Sequence, residues 1–313
     1  MAAPRPLHLI EYAFARVALA AALSLSPSQA MRTARRGADL LYRFDRKHRE
    51  RALENLATVF PEKGAEEREA IARSSFRSFA CTLMESLFLP RLAVGGALGR
   101  HYTFTIDPAA RTATAAGRGA IFVTAHIGNW EWTGKAASLI GYPIVAVARP
   151  LGNPYLTRYI TSTRERSGQR IVMKRGALRD LSVTLRKSGY LGFLVDQGAG
   201  RHGVFAEFFG RLASTTGGPA TLALKYDVPL IPAWQRRRPG EFLHELIVEA
   251  PLAVTRTGDL KADVLALTRA MNARIECWVR REPGQWLWAH RRWKTRPPGE
   301  ERGCPSNPST SRE

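Results

Sequence analysis

A histidine and a glutamate lie five positions apart in the stretch HIGNWE, which directly follows the apolar run GAIFVTA. On one straight helix five residues turn by about 500°, so His126 and Glu131 would lie on different faces, about 140° apart. A strand that ends near His126, followed by a helix that begins at Trp130 and is capped by Asn129, would bring the two side chains together. Gly128 would ease the tight turn between them. The spacing therefore predicts a strand, a turn and a helix N-terminus.

This arrangement suits general base catalysis. Glu131 would hold one ring nitrogen of His126, and the other nitrogen would remove a proton from a hydroxyl. The backbone N–H groups at the helix N-terminus would face developing negative charge. On spacing alone a second interpretation stays open: His126 is a strand-end histidine with local hydrogen bonds, and Glu131 only favours the helix start.

The elements that must position this motif form a helical lead-in and an α/β core. Apolar positions recur at three-to-four spacing over residues 39–60 and 65–89, which predicts two amphipathic helices broken at Pro61 and Gly64. From about residue 119 short apolar runs alternate with stretches long enough for helices, and this pattern predicts an α/β domain. The runs are AIFVTA, PIVAVA, RIVMK, YLGFLV, PLIPAW and FLHELIVEA.

The apolar stretch at residues 7–27 contains Glu11 and Arg16, so it is marginal as a membrane span. A membrane anchor is the favoured interpretation, and a cleaved signal peptide and an ordinary soluble helix remain alternatives. The basic residues that follow favour a cytoplasmic body under the positive-inside tendency. They are Arg32, Arg35 and Arg36.

The length of 313 residues suits one large domain with appendages. We expect an anchor helix over 1–28, one domain over 29–296 whose helical lead-in reaches about residue 100, and a polar, proline-rich, disordered tail over 297–313. The three cysteines lie far apart, which favours neither a disulfide framework nor a zinc site. They are Cys81, Cys277 and Cys304.

The formal net charge is +20, from 47 Lys and Arg against 27 Asp and Glu. Such a balance indicates an anionic partner, which is a nucleic acid, an acidic protein or a phospholipid surface. The sequence has no zinc-finger or RNA-recognition signature, so nucleic acid is the least favoured of the three.

The stretch HIGNWE also has the H-x4-D/E pattern of the glycerolipid acyltransferase superfamily, and its GNWE form resembles the branch with the bacterial late acyltransferases of lipid A synthesis. Further stretches agree in order, so the resemblance extends from about residue 40 to 296. They are ALENLATVFPE, RPLGNPYL, RERSG, VDQ, FFGRLASTTGGPATLAL, VPLIPAW and PGQWLWAHRRWK. The resemblance implies an α/β fold with a mixed sheet flanked by helices, preceded by a membrane-associated helix and a helical segment.

The resemblance implies an enzyme that transfers a fatty acyl group to a hydroxyl of a lipid A precursor at the cytoplasmic face of the bacterial inner membrane. The donor would be an acyl-carrier-protein thioester, or coenzyme A, and no metal or organic cofactor is implied. His126 would be the base, Glu131 its partner, and Asn129 with the backbone around it would stabilise the oxyanion. The implied partners are an acyl carrier protein, an anionic lipid and the membrane surface, without nucleic acid.

Other hypotheses stay open beside this one. The same chemistry could act on a lysophospholipid, an ornithine lipid or a mannosylated glycolipid. A protein of a different class, which binds membranes or nucleic acid without catalysis, could retain the fold.

Four further residues are candidates for substrate binding. Arg149 and Arg164 could hold phosphates or an acidic glycan through arginine forks, or they could belong to a solvated helix face. Asp196 and Gln197 end the apolar run YLGFLVDQ, where α/β sheets present site residues, and a loop cap is the alternative. The sequence VDQ departs from the EGTR form of glycerol-phosphate acyltransferases, which disfavours glycerol 3-phosphate as the acceptor.

Two later stretches allow a functional and a structural interpretation. In FFGRLASTTGGPA, Phe208 and Phe209 could form the floor of an acyl pocket and Arg211 could lie near the headgroup, or the phenylalanines could simply pack in the core. In QWLWAHRRWK, tryptophans alternate with cations, which is typical of a membrane interface but equally of a buried closing segment. These tryptophans are Trp286, Trp288 and Trp293, and we expect His290 beside them to be structural.

Overall fold

The computed structural model describes residues 5–92, 99–148, 150–166, 169–173, 176–254, 256–297 and 299. Arg149 and residues 300–313 of the predicted tail lie outside the described residues.

A seven-stranded mixed sheet forms the centre of the fold, in the order β1-β9-β8-β2-β5-β3-β4, and a hairpin of β6 and β7 lies apart from it. The strands are β1 Tyr102–Ile106, β2 Ala120–Thr124, β3 Ile144–Ala148, β4 Arg170–Met173, β5 Tyr190–Leu194, β6 Val204–Phe208, β7 Arg211–Thr215, β8 Leu230–Arg237 and β9 His244–Val248. Neighbouring strands of the large sheet are parallel except for β8 and β9. The predicted α/β class with a mixed sheet is confirmed.

All six predicted apolar runs form strands. These strands are apolar along their length because the sheet is covered on both faces. In β2, Ile121 and Val123 belong to one hydrophobic core while Ala120 and Phe122 belong to the other. Successive side chains of a strand point to opposite faces, so a strand buried on both sides needs an unbroken apolar run.

Ten helices are seen in the described part of the chain. They are α1 Pro6–Ser24, α2 Pro27–Phe44, α3 Arg46–Val59, α4 Ala65–Leu92, α5 Pro108–Ala115, α6 Trp130–Leu139, α7 Pro154–Arg166, α8 Ala177–Arg186, α9 Gly218–Tyr226 and α10 Leu260–Arg281. The predicted helix over 39–60 is wrong as a single element, because Asp45 ends α2 and caps α3 by accepting a hydrogen bond from His48 N at 3.1 Å.

The first helix, α1, is long and apolar enough to cross a membrane, and none of its residues is buried. It lies against α7 through specific polar contacts: Asn153 Nδ2 donates to His8 O at 2.8 Å and to Glu11 Oε2 at 2.9 Å. The guanidinium of Arg16 lies 5.3 Å from the ring centre of Tyr159. The two charges that made the stretch marginal as a span therefore contact the protein body.

The closing segment with three tryptophans is buried in the core. Trp286, Trp288 and Trp293 are 1%, 0% and 8% exposed, so their interpretation as a membrane interface is wrong and the core interpretation is confirmed. Arg292 between them is also buried and donates to Ser214 O at 2.8 Å. The segment is therefore part of the scaffold that surrounds the site described next.

Candidate active site

The predicted strand, turn and helix around His126 are present. β2 ends at Thr124, and Asn129 is the N-cap of α6, where its Oδ1 accepts a hydrogen bond from Trp132 N at 3.1 Å. Gly128 has φ of +60°, and a Cβ atom there would lie 2.0 Å from Gln235 O. Only glycine fits this position, because a side chain would meet both the strained conformation and the backbone of β8.

The loop of residues 126–128 is held by the segment that follows α10. Leu287 N donates to His126 O at 3.1 Å, and Gly128 N donates to Gln285 O at 3.2 Å. Thr82 of α4 donates from its hydroxyl to Gly128 O at 2.9 Å. Contacts from a distant helix and from the last described segment therefore fix the backbone beside the histidine.

The carboxylate that contacts His126 belongs to Asp196, whereas the sequence predicted Glu131. His126 Nδ1 lies 2.7 Å from Asp196 Oδ1, and the His126 backbone N–H donates to Asp196 Oδ2 at 2.8 Å. Asp196 follows β5, which pairs in parallel with β2, so both strands end at the same edge of the sheet. Strand pairing, rather than the spacing in the motif, brings the acid and the imidazole together.

Asp196 is buried, and its contacts keep it ionised. Trp286 Nε1 donates to Asp196 Oδ2 at 2.8 Å, on the same oxygen as the His126 backbone N–H. Burial alone would raise the pKa of Asp196, but the charge and hydrogen bonds of His126 together with the indole N–H lower that pKa to about 2. A negative charge therefore stands behind the imidazole at neutral pH.

The second ring nitrogen of His126 faces a polar neighbour in the cavity. Gln197 Nε2 lies 3.2 Å from His126 Nε2. When Nδ1–H is donated to Asp196, Nε2 carries the lone pair and accepts from the Gln197 amide. This is the protonation pattern that a general base requires.

Glu131 pairs with Arg164 instead of His126. Arg164 Nε and Nη2 donate to the two carboxylate oxygens at 2.9 Å and 2.7 Å, a bidentate pair. Both side chains line the same cavity as His126, and they are 24% and 28% exposed. The expectation that Glu131 holds the imidazole is corrected, because both of its oxygens are engaged by the guanidinium.

Asn129 has no amide group available for a substrate. Its side chain is fully buried, and its Nδ2 donates to Glu85 Oε2 at 2.7 Å while its Oδ1 caps α6. Glu85 in turn accepts from Arg237 Nε at 2.9 Å. The expected role of the Asn129 side chain as an oxyanion donor is therefore wrong, since both ends of its amide are already hydrogen-bonded away from the cavity.

The proposed pocket floor around Phe208 does not contribute to this cavity. Phe208 and Phe209 are 0% and 8% exposed in the hydrophobic core, and Phe209 with Gly210 forms the positive-φ turn of the β6–β7 hairpin. Arg211 is exposed, donates to Thr58 Oγ1 at 3.3 Å and does not line the cavity. The packing interpretation of the phenylalanines is confirmed, and the expected headgroup contact of Arg211 is not supported by its position.

The cavity has a volume of about 780 Å³ and opens around the ends of β2, β3 and β5. His126, Glu131, Arg164 and Gln197 form its polar part. Its walls are mainly apolar and come from both faces of the sheet, since Phe122 and Leu181 lie on opposite sides and both line it. A volume of this size is typical of sites that enclose a mostly apolar ligand.

His290 holds the loop after Gln197. Its Nε2 accepts a hydrogen bond from Gly198 N at 3.1 Å, which requires a neutral imidazole on that nitrogen. Burial lowers the pKa of His290 to about 4, although the nearby carboxylate of Asp196 acts in the opposite direction. The expected structural role of His290 agrees with this contact.

The sequence did not reveal Trp286 or Glu85 as part of the site. A tryptophan N–H that donates to a buried carboxylate leaves no local spacing signal, because the two residues are far apart in the chain. The sequence signal at the end of the apolar run, at Asp196 and Gln197, marks two residues that both contact the ring of His126.

Comparison with known proteins places these residues in a family context. The family model for bacterial lipid A biosynthesis acyltransferases matches residues 2–295. The lipid A biosynthesis palmitoleoyltransferase of Escherichia coli (strain K12) is 30% identical over 256 residues, which cover 80% of this chain and 79% of that protein.

Two other relatives differ in their named acyl group or acceptor. The lipid A biosynthesis lauroyltransferase of the same strain is 29% identical over 266 residues, with 83% of each chain covered. The phosphatidylinositol mannoside acyltransferase of Mycolicibacterium smegmatis is 27% identical over 245 residues, with 76% of this chain and 77% of that protein covered. With a family match over nearly the whole length, the chain belongs to the bacterial lipid A biosynthesis acyltransferase family and is an acyltransferase.

Proposed function

We propose that the protein transfers a fatty acyl group from an acyl-carrier-protein thioester to a hydroxyl of a lipid A precursor, with His126 as the general base. The observation that carries this proposal is the contact of His126 Nδ1 with buried, ionised Asp196, which leaves Nε2 directed to a mainly apolar cavity. An apolar cavity suits a fatty acyl chain, and a base inside it suits activation of a hydroxyl.

The proton transfers follow from the two ring nitrogens. His126 Nε2 removes the proton of the acceptor hydroxyl as its oxygen attacks the thioester carbonyl. The imidazolium that forms is stabilised by the Asp196 carboxylate at 2.7 Å. When the tetrahedral intermediate collapses, the C–S bond breaks and His126 returns the proton to the sulfur. The products are the new ester and the free thiol of the carrier.

The side-chain amide of Gln197 is the proposed donor to the oxyanion. It lies 3.2 Å from His126 Nε2, so an acceptor hydroxyl that binds to Nε2 displaces it toward the neighbouring carbonyl oxygen. Nearby backbone N–H groups are already used: His126 N donates to Asp196, Gly128 N to Gln285 and Gly198 N to His290. Gln197 therefore replaces Asn129 as the candidate for this role.

Glu131 and Arg164 are proposed to position the acceptor. Their bidentate pair fixes the guanidinium on the cavity wall near the base. A guanidinium held in one orientation suits recognition of a phosphate-bearing lipid. In this mechanism Glu131 acts on substrate binding through Arg164, and Asp196 acts on the base.

The proposed location is the cytoplasmic face of the bacterial inner membrane. The helix α1 is long and apolar enough to cross a membrane, and its exposed apolar side chains suit contact with lipid. The net charge of +20 suits both an anionic lipid surface and an acidic carrier protein.

A transfer assay tests the proposal. Membranes that contain the protein are incubated with acyl-carrier-protein thioesters and a tetraacylated lipid A precursor, and product masses are read. We expect a mass increase of one acyl group that is absent with the His126→Ala variant. Coenzyme A thioesters in a parallel reaction test the donor.

Acceptors of other classes complete the assay. The similarity to a phosphatidylinositol mannoside acyltransferase makes a mannosylated glycolipid a necessary comparison, beside a lysophospholipid and an ornithine lipid. Transfer to one of these and not to the lipid A precursor would contradict the proposed acceptor. Transfer by the His126→Ala variant at the wild-type rate would contradict the proposed base.

A further inference from the structure

A second cleft, separate from the catalytic cavity, is formed by the helical lead-in. Helices α2, α3 and α4 enclose a volume of about 750 Å³, and none of its lining residues lines the catalytic cavity. Its lining residues are Arg36, Asp39, Leu40, Tyr42, Arg43, Arg49, Leu53, Glu69 and Arg73. The face that α2 presents to the cleft follows helical spacing, since Arg36, Leu40 and Arg43 are four and three positions apart.

The charges in this cleft do not balance. Its two carboxylates are already paired: Asp39 accepts from Arg77 at 2.7 Å and Glu69 accepts from Arg73 at 3.2 Å. Within the described part of the chain, the side chains of Arg36 and Arg43 make no hydrogen bond or ion pair. The paired acids leave an excess of positive charge on the cleft wall.

Arg49 adds a third cation in a fixed position. Its Nη1 donates to the main-chain carbonyls of Tyr42 at 3.2 Å and Arg43 at 2.9 Å, at the C-terminal end of α2. Carbonyls at this end of a helix lack partners within the helix, so the guanidinium is held there by good acceptors. An anion in the cleft would meet this preorganised cation without ordering a free side chain.

A buried hydroxyl in the same wall has no partner. Tyr42 is 3% exposed, and its Oη has no hydrogen-bond partner among the described residues. The guanidinium groups of Arg49 and Arg73 lie over its ring, at 5.8 Å and 5.2 Å from the ring centre. An oxygen ligand that enters between the two arginines would give this hydroxyl the acceptor that it lacks.

The rim of the cleft on the side of α2 consists of Leu40, which lines the cleft, and of Leu41 and Phe44, which directly follow the lining residues Leu40 and Arg43 in the helix. Leu40, Leu41 and Phe44 are 58%, 45% and 74% exposed. Exposed apolar side chains beside unpaired arginines suit the boundary between lipid headgroups and acyl chains. This rim favours the phosphate of a lipid over free phosphate in solution, because only the lipid has an apolar part that can contact it.

We propose that the cleft between α2, α3 and α4 binds the phosphate group of an anionic membrane lipid, separately from the substrate in the catalytic cavity. Arg36, Arg43 and Arg49 contact the phosphate, and Leu40, Leu41 and Phe44 contact the apolar part of the lipid. The site would hold the helical lead-in against the membrane surface while the catalytic cavity remains free for donor and acceptor.

Thermal unfolding of the full chain in a nonionic detergent tests the proposal, because a ligand that binds the folded state raises the midpoint of unfolding with concentration. The probes are dihexanoyl phosphatidylglycerol, dihexanoyl phosphatidylcholine and inorganic phosphate. We expect stabilisation by the anionic lipid at concentrations where the other two probes have little effect. The Arg36→Gln/Arg43→Gln variant should weaken this binding by at least about tenfold.

A matched variant controls for net charge. Arg118→Gln/Arg170→Gln removes the same two charges from exposed side chains that line neither cavity, and it should bind the anionic lipid as the wild type does. The Tyr42→Phe variant, which loses only the unpartnered hydroxyl, should bind several-fold more weakly.

Three outcomes would overturn the proposal. Equal weakening in both double variants would mean that net charge, rather than the cleft, determines binding. An equal effect of inorganic phosphate would overturn the assignment to a lipid. Binding of an acidic carrier protein that is lost in Arg36→Gln/Arg43→Gln, without any effect of lipid, would assign the cleft to a protein partner instead.

Discussion

Asp196 and His126 meet at the ends of two adjacent parallel strands, with 2.7 Å between Asp196 Oδ1 and His126 Nδ1. The same aspartate also accepts hydrogen bonds from the His126 main chain and from the Trp286 indole. Three contacts on one buried carboxylate determine the orientation of the imidazole and the nitrogen that faces the cavity.

The Asp196→Asn variant should therefore lower kcat by about a thousandfold, because an amide can stabilise neither the imidazolium nor the required tautomer. The measurement is the rate of acyl transfer at saturating donor, with thermal unfolding as a check on folding. A variant that folds and keeps wild-type kcat would contradict the role of Asp196.

The variants Glu131→Gln and Arg164→Lys should resemble each other in their kinetics and differ from Asp196→Asn. Both changes break the bidentate pair, so we expect each to raise KM for the lipid acceptor more than it lowers kcat. The double variant should be little worse than either single variant, which corresponds to a coupling energy of about 1–3 kcal/mol. Additive losses would show that the two residues act independently.

Gly128→Ala should unfold the protein readily or leave it inactive. The added Cβ would lie 2.0 Å from Gln235 O in a backbone conformation with φ of +60°, so we expect a loss of more than about 3 kcal/mol in the free energy of unfolding. Gly141→Ala is the matched control, since φ is +92° there but no atom lies within 4 Å of the added Cβ. Its expected loss is about 1–2 kcal/mol, and equal losses would contradict the steric argument.

The stability of the protein should decrease below pH 6.5. Burial lowers the pKa of His290, and also that of His244, from an ordinary value of 6.5 to about 4. Between these values the unfolded chain binds protons that the folded chain does not, so stability is complete above pH 6.5 and is lost as the pH falls toward 4. Each histidine contributes about 3 kcal/mol to this loss.

A His290→Gln variant tests the assignment, because the Gln side chain can still accept from Gly198 N but does not titrate. Denaturant unfolding at several pH values should give a shallower dependence between pH 6.5 and 4 than in the wild type. An unchanged slope would mean that His290 is not one of the titrating groups.

Strands and turns could be predicted from the sequence better than the side-chain contacts between them. The apolar runs identified six strands because a sheet covered on both faces requires them, and the turn at Gly128 followed from this glycine and the helix cap Asn129 directly after GAIFVTA. The strands β1, β6 and β7 were missed. The strand β1 alternates exposed with buried or half-buried side chains instead of forming an apolar run, and the mixed sequence of β6 and β7, with the turn at Phe209 and Gly210, resembles a loop.

The partner of His126 could not be read from local spacing. Which strand lies beside β2 depends on sheet order, and β5 comes later in the chain after two intervening strands. Glu131 was the nearest carboxylate in sequence, but the guanidinium of Arg164 takes both of its oxygens. The carboxylate partner of His126 is therefore set by long-range strand pairing, which local spacing in the sequence does not reveal.

Residues 285–287 hold the histidine loop through hydrogen bonds, and this has a consequence for biosynthesis. Leu287 donates to His126 O, Gln285 accepts from Gly128 N and Trp286 donates to Asp196, so the loop and the carboxylate are both held by a segment that leaves the ribosome after the rest of the catalytic cavity. Because a domain generally folds as a unit, the loop and the carboxylate take up their orientation only once this segment has been synthesised. A chain that stops before Gln285 would lack all three contacts, so neither the histidine loop nor the Asp196 carboxylate would be held in its orientation.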